Sequence, residues 1–137
     1  MTAETPRTIS IAAALIEDGE GRLLLVRKAG TEWFMQAGGK IEAGESPLAA
    51  LRRELREEIG LMLADEDARY IGCYYAPAAN EPDHTVKAEV FHVRVRHDPV
   101  TQSEIQEALW VDPITASAMP LAPLTRTYIL PLARALI

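Results

Sequence analysis

Hydrophobic residues fall along this chain in two alternating periods. Ile9, Ile11, Ala13 and Leu15 alternate with their neighbours, as a half-buried strand does. Asp18-Gly19 then marks a tight turn ahead of the apolar run Leu23 to Val26. This pattern predicts a hairpin, roughly 8–17 with 22–28. Trp33-Phe34-Met35 predicts another short strand, running into a glycine-rich turn at Gly38-Gly39. The period then lengthens. Leu48, Leu51, Leu55 and Ile59 recur at spacings of three, four and four, which lays one apolar face along a helix over 46–60. Ser46 can cap its start, Pro47 suits the first helical position, and Gly60 can end it in the left-handed conformation. Arg69 to Ala76 and Lys87 to Arg96 return to strand character. In the second, Glu89, Phe91, Val93 and Val95 share one face, and Val90, His92, Arg94 and Arg96 the other. Glu107 to Val111 predicts a further short strand. Thr125 to Ile137 reads as a helix that Pro131 must kink or restart. Residues 1–7, polar and carrying Pro6, predict a loose lead-in. Strands flanking one strong helix and a weaker terminal one predict an α/β sandwich on a mixed sheet, in one domain over 1–137.

Composition narrows the function classes. The chain has 137 residues, a length suited to a single domain with a real core. Its formal net charge of -6 disfavours a nucleic-acid polymer or an acidic membrane surface as partner, because both select for clustered Lys and Arg. A phosphorylated small molecule stays open, since a bound cation can supply positive charge. Cys73 is the lone cysteine, so an intrachain disulfide and a Cys-rich zinc site are excluded; it reads as a small buried apolar residue. Met1 to Ser10 lacks a basic start followed by an apolar run, and no stretch approaches the ~20 apolar residues of a membrane span. A cytoplasmic protein is expected. His84, His92 and His97 show no metal-ligand spacing, and His92 and His97 read as surface residues.

The chemistry concentrates between Gly38 and Leu61. At about 100° per residue, Glu54, Glu57 and Glu58 fall within an arc of about 100°, beside the apolar face of the helix. Three carboxylates crowded there repel one another. Basic groups or a cation can relieve the repulsion. Arg53 is at hand, whereas Arg52 and Arg56 project to other sides. Carboxylate oxygens suit Mg²⁺ or Mn²⁺, and Mg²⁺ is commonly held by one or two carboxylates together with substrate phosphates. The glycines ahead of the helix let the backbone approach a metal or phosphate closely.

Gly39, five residues, Glu45, seven residues, then Arg53-Glu54-Leu55-x-Glu57-Glu58-Ile59-Gly60-Leu61 resembles a complete Nudix box, with every fixed position matched. One departure stands outside it: Ala37 occupies a place where many members have proline. The resemblance implies a Nudix-type α/β/α sandwich and a hydrolase acting on the phosphoanhydride of a nucleoside diphosphate linked to another moiety. It implies Mg²⁺ or Mn²⁺ held by Glu54, Glu57, Glu58 and the Gly38 carbonyl. Arg53 is similar to the arginine that orients the glutamates, and Glu45 to the glutamate that supports the loop. Glu104, six residues before Trp110, resembles a glutamate outside the box that serves as base or extra ligand; Glu57 is the other candidate base. Lys40 and Arg27 are candidates to meet phosphates, and Tyr75 to stack on a base. The substrate class stays divided between nucleoside triphosphates, oxidised ones included, and ADP-ribose-like compounds. A nucleotide-binding module without turnover is the alternative, and a homodimer is admitted by analogy alone.

Overall fold

The computed structural model describes residues 7–137. The expected loose lead-in therefore lies outside the described residues except for Arg7, which already belongs to the first strand. The elements run β1 (Arg7–Glu17), β2 (Leu23–Lys28), β3 (Phe34–Met35), β4 (Ala37–Lys40), α1 (Pro47–Ile59), β5 (Ala68–Pro77), β6 (His84–Arg94), β7 (Ile105–Val111), α2 (Pro113–Ser117) and α3 (Leu130–Leu136). A 3₁₀ turn (Asp65–Asp67) precedes β5, and a π-helical turn (Thr125–Ile129) leads into α3.

The predicted hairpin survives only at its base. β1 and β2 pair at Glu17↔Leu23 alone. Beyond that point β1 takes β4 antiparallel over Ile11–Ala14 on the same edge, and β6 parallel along its whole length on the other. β2 instead joins β3 and β7, both antiparallel. β5 closes the outer edge against β6. The sheet is thus mixed, with β1/β6 its parallel pair and a fork between β1 and β2. Each arm of the fork finds its own partner because both strands are apolar on both faces.

Alternation in those strands feeds two cores. Ala12, Ala14, Ile16, Leu24, Val26, Phe91 and Val93 pack with Leu51, Leu55 and Ile59 of α1. Ala13, Leu15, Leu23, Leu25 and Val90 face the other way, onto Leu124, Ile129, Leu130 and Ala133. Helices on both faces make the expected α/β/α sandwich. α1 follows its sequence signals closely. Ser46 Oγ accepts the Ala49 N–H at 3.1 Å. Gly60 stands at φ 69°, and Leu61 N–H returns to the Leu55 carbonyl at 3.2 Å. Leu51, Leu55 and Ile59 are fully buried, each contributing about 1.5–3 kcal/mol by removal from water. At the other end of the chain, Pro131 restarts the helix as expected. The turn ahead of it is widened, with Leu130 N–H reaching the Thr125 carbonyl five residues back.

Three readings are corrected. Gly38-Gly39 is strand, not turn: it lies in β4, paired with Ala13 and Ala12, and the turn is the following segment 41–46. Cys73 is exposed, because β5 is an outer strand beyond the reach of α1. His92 is largely enclosed beside Glu17, and His97 Nε2 donates to the Ile59 carbonyl at 2.9 Å, so neither is a plain surface residue.

Candidate active site

β4 and α1 assemble the site together. Gly38 N–H donates to Glu58 Oε1 at 3.0 Å, which ties the strand to the last turn of the helix. The glycines are required by contact. A Cβ on Gly38 would stand 2.1 Å from the Ala12 carbonyl oxygen, and Gly38 adopts φ 139°. A Cβ on Gly39 would stand 2.5 Å from the Glu54 carboxyl carbon. The bare backbone at Gly39 is therefore a seat for the Glu54 carboxylate.

Arg53 binds the carboxylates and the loop into one unit. Its guanidinium grips Glu45 in bidentate fashion, Nε to Oε2 and Nη2 to Oε1, both at 2.8 Å. Nη1 donates to Glu54 Oε1 at 2.8 Å, and Nη2 to the Lys40 carbonyl at 3.0 Å. Glu57 Oε2 stands 3.6 Å from Nη1. Glu45 in turn accepts the Glu42 N–H at 2.9 Å, closing the 41–46 turn. The Arg53 hydrogen bonds hold Glu45 down to a pKa of about 2, and Glu45 raises that of Arg53. Arg53 thus links Glu45, Glu54 and the Lys40 carbonyl in one hydrogen-bonded unit.

Glu58 is the electrostatic anomaly. It is 3% exposed, and burial pushes its pKa up to about 7 despite the Gly38 N–H that favours its charge. Glu54 and Glu104 push it higher, and Lys28 opposes them. Lys28 only partly balances a buried acid that faces two further carboxylates. Among the described residues, no three His, Cys, Asp or Glu side chains converge into a ready-made metal cage. The donor set nevertheless fits a hard divalent cation: a buried carboxylate, a second carboxylate seated on a glycine, and an open side that leaves room for further oxygen ligands.

A cleft opens beside this unit. It is lined by Lys28, Gln36, Gly38, Gly39 and Lys40, by the loop from Pro77 to Glu81, and by apolar side chains of β1 and the 122–124 segment. Lys40 lies on the cleft, its ammonium 3.6 Å from Glu81. Glu104 is brought near Glu58 and pairs with Lys28 at 3.3 Å. Arg27, one residue earlier, points elsewhere. It donates from Nε to Glu107 at 2.9 Å and lies over the Phe34 ring, so the structure does not bring it to the cleft. Tyr75 is 55% exposed on β5 and is likewise not a cleft residue. Lys28, Gln36 and Asn80 take those places. Gln36 had a visible signal, a single polar residue between Met35 and Ala37 immediately before Gly-Gly. Asn80 had none beyond its loop.

A family model of the NUDIX domain matches residues 6–132. The chain is 35% identical to the CTP pyrophosphohydrolase of Escherichia coli (strain K12) over 124 residues, 85% of each protein. It is 40% identical over 60 residues to the 8-oxo-dGTP diphosphatase of Haemophilus influenzae, 41% of this chain and 44% of that protein. The solution structure of the E. coli ORF135 protein superposes with a TM-score of 0.74 at 31% identity, covering 95% of this chain and 91% of that one. With the box residues gathered on α1 and β4, this chain belongs to the Nudix family and is a hydrolase of its pyrophosphohydrolase type. No helix among the described residues is long and apolar enough to cross a membrane.

Proposed function

We propose that this enzyme hydrolyses a pyrimidine nucleoside triphosphate, CTP foremost, to the monophosphate and pyrophosphate with Mg²⁺ or Mn²⁺ bound. The observation that carries the metal is the buried Glu58, with its raised pKa, beside Glu54 on its glycine seat. Likeness to the CTP pyrophosphohydrolase along 85% of both chains supports the substrate over an ADP-ribose-like compound. Glu54, Glu57, Glu58 and the Gly38 carbonyl would hold the metal, which supplies charge to the phosphates and acidity to a water.

This chain's own groups do the rest. Lys40 and Lys28, both on the cleft, meet the phosphate oxygens. Arg53 keeps Glu54 and Glu57 aimed across the helix. A water adds to phosphorus, the bridging P–O bond breaks, pyrophosphate leaves, and the water's proton passes to a carboxylate, Glu57 or Glu104. A positioned base contributes roughly 10²–10⁴-fold. Glu57 is about half exposed on the outer side of the acidic face, and Glu104 sits beside Lys28 on the facing loop.

The test is a screen with Mg²⁺ against CTP, the other nucleoside triphosphates, 8-oxo-dGTP, ADP-ribose and dinucleotide polyphosphates, with products resolved by ³¹P NMR and Glu58→Gln as blank. CTP turned over to CMP and pyrophosphate, with a dead blank, supports the reading. Preference for ADP-ribose, or activity that survives in Glu58→Gln, defeats it. Glu57→Gln and Glu104→Gln, compared at saturating metal, identify the base.

A further inference from the structure

Gln36 stands between β3 and β4, two residues before Gly38. It is a polar side chain, 7% exposed, in the wall of an otherwise mostly apolar pocket. Half of its amide is committed. The Thr125 hydroxyl, fully buried on the widened turn ahead of α3, donates to Gln36 Oε1 at 2.7 Å. The other half is free. Nε2 makes no hydrogen bond among the described residues, yet it is not among the atoms sealed away from solvent without a partner. Since Gln36 lines the cleft, that NH₂ group opens into it. A buried donor without a partner is costly, whereas a donor held ready for a ligand is not wasted. The surroundings say what kind of ligand. Ile11, Met35, Val86 and Leu124 give the cleft apolar walls fit for a ring, while Lys28 and Lys40 serve its phosphate end. Gln36 lies roughly 7 Å along extended chain from Gly38, about the reach from a nucleotide's phosphates to its base.

We infer that Gln36 is a specificity-determining residue of this hydrolase, donating from Nε2 to an acceptor edge of the substrate base, and that Thr125 is the positioning residue that turns the amide this way. The inference rests on the nucleoside triphosphate reading and deepens it. Cytosine presents two adjacent acceptors, O2 and the ring nitrogen N3, whereas uracil presents a donor at N3. A donor that meets N3 therefore favours cytosine, whereas one that met only O2, an acceptor in both bases, would not discriminate. Thr125 works because its hydroxyl occupies Oε1; without it the amide can rotate and offer its oxygen instead.

Two readouts test this. The first is kcat and KM for CTP and UTP with Mg²⁺, for the wild type, Gln36→Leu, Gln36→Glu and the double variant Gln36→Leu/Thr125→Val. The double variant removes both buried polar partners together and so preserves packing. Expected is a rise in KM for CTP of about tenfold in Gln36→Leu and in the double variant, with kcat within about threefold and the CTP/UTP ratio falling toward one. Gln36→Glu, which offers acceptors only, is expected to lose CTP selectivity further. Unchanged KM and ratio in the double variant, or cytosine preference retained by Gln36→Glu, overturns the inference. The second readout needs no turnover: CMP added to the metal-free protein should shift the Gln36 side-chain amide in a ¹H–¹⁵N spectrum, the signal being assigned by its loss in Gln36→Leu. No shift at saturating CMP refutes the contact. If the wild type leaves CTP intact while CMP still moves that signal, the substrate reading fails and the base contact stands.

Discussion

Gly38 and Gly39 are neighbours, yet replacing each with alanine should damage different properties. At Gly38 the new Cβ meets backbone, 2.1 Å from the Ala12 oxygen and 2.9 Å from the Ala13 Cα. An ordinary carbon–oxygen contact is about 3.3 Å, so β4 must retreat from β1 by about 1 Å. Neither strand can rotate out of the way, and the φ of 139° adds strain of about 1–3 kcal/mol for a residue with a side chain. With the weakened β1/β4 ladder, Gly38→Ala should cost at least about 3 kcal/mol, a large part of a stability of about 5–15 kcal/mol. With a urea m-value near 1.5 kcal/mol/M, the midpoint falls by about 2 M. At Gly39 the new Cβ meets the tip of a flexible side chain, 2.5 Å from Glu54 Cδ and 2.7 Å from both its oxygens. Glu54 can swing aside at little cost to folding, but its carboxylate then leaves the place where a metal would be held. Gly39→Ala should stay within about 1 kcal/mol of the wild type in stability and lose roughly 10–100-fold in kcat/KM or metal affinity, the size typical of displaced metal-site groups. Urea titrations and steady-state kinetics over a Mg²⁺ series measure both variants. If Gly39→Ala unfolds as readily as Gly38→Ala, or keeps full activity, the seat assigned to Glu54 is wrong.

The buried Glu58 sets a pH signature. Its folded pKa of about 7 lies above the ordinary 4.5, so the folded state holds the extra proton between those values. Its stabilising share is complete below about pH 4.5 and is lost as pH rises through about 7. The integrated loss is up to roughly 3 kcal/mol. In EDTA, Glu58→Gln should therefore melt higher than the wild type at pH 8, with little difference at pH 5, while losing activity; equal melting at pH 8 would count against a strained acid. Metal must displace that proton, so apparent Mg²⁺ affinity should rise about tenfold from pH 6 to pH 8, read by titration calorimetry. Glu45 behaves oppositely: its pKa is lowered from 4.5 to about 2, so its contribution is present above about 4.5 and lost as pH falls through about 2. Glu45→Gln should flatten acid unfolding in that window, followed by circular dichroism, and should loosen the 41–46 turn. Leu55→Ala, at a fully buried position under α1, should cost about 2–5 kcal/mol in urea unfolding with kcat/KM changed far less in the surviving folded fraction.

The signals read correctly from sequence are those made within a few residues. α1 is one: Ser46, Pro47, the Leu48–Ile59 stripe and Gly60 each act on groups no more than about one or two helical turns away, and the structure reproduces them. Face alternation is another, since a strand's pleat alone sends Phe91 and Val93 to one core and Val90 to the other. The acidic arc of Glu54, Glu57 and Glu58 with Arg53 is local in the same sense, which is why the chemistry was legible before the fold. Tertiary structure decided whatever depends on a choice between distant partners. β1 left β2 after a single pair, because β4 and β6 competed for its edges and sequence adjacency carries no information about which wins. Cys73 turned out exposed because α1 covers the middle of the sheet and not β5, a fact about helix placement rather than about cysteine. Glu58 became a raised-pKa acid only when β4 and the Glu104 loop closed around it. Gln36 found Thr125 across 89 residues, and Lys28 rather than Arg27 reached the cleft because strand pleat and twist, not charge, set where each side chain points. Local interactions are encoded by spacing; burial and long-range pairing exist only once the layers meet.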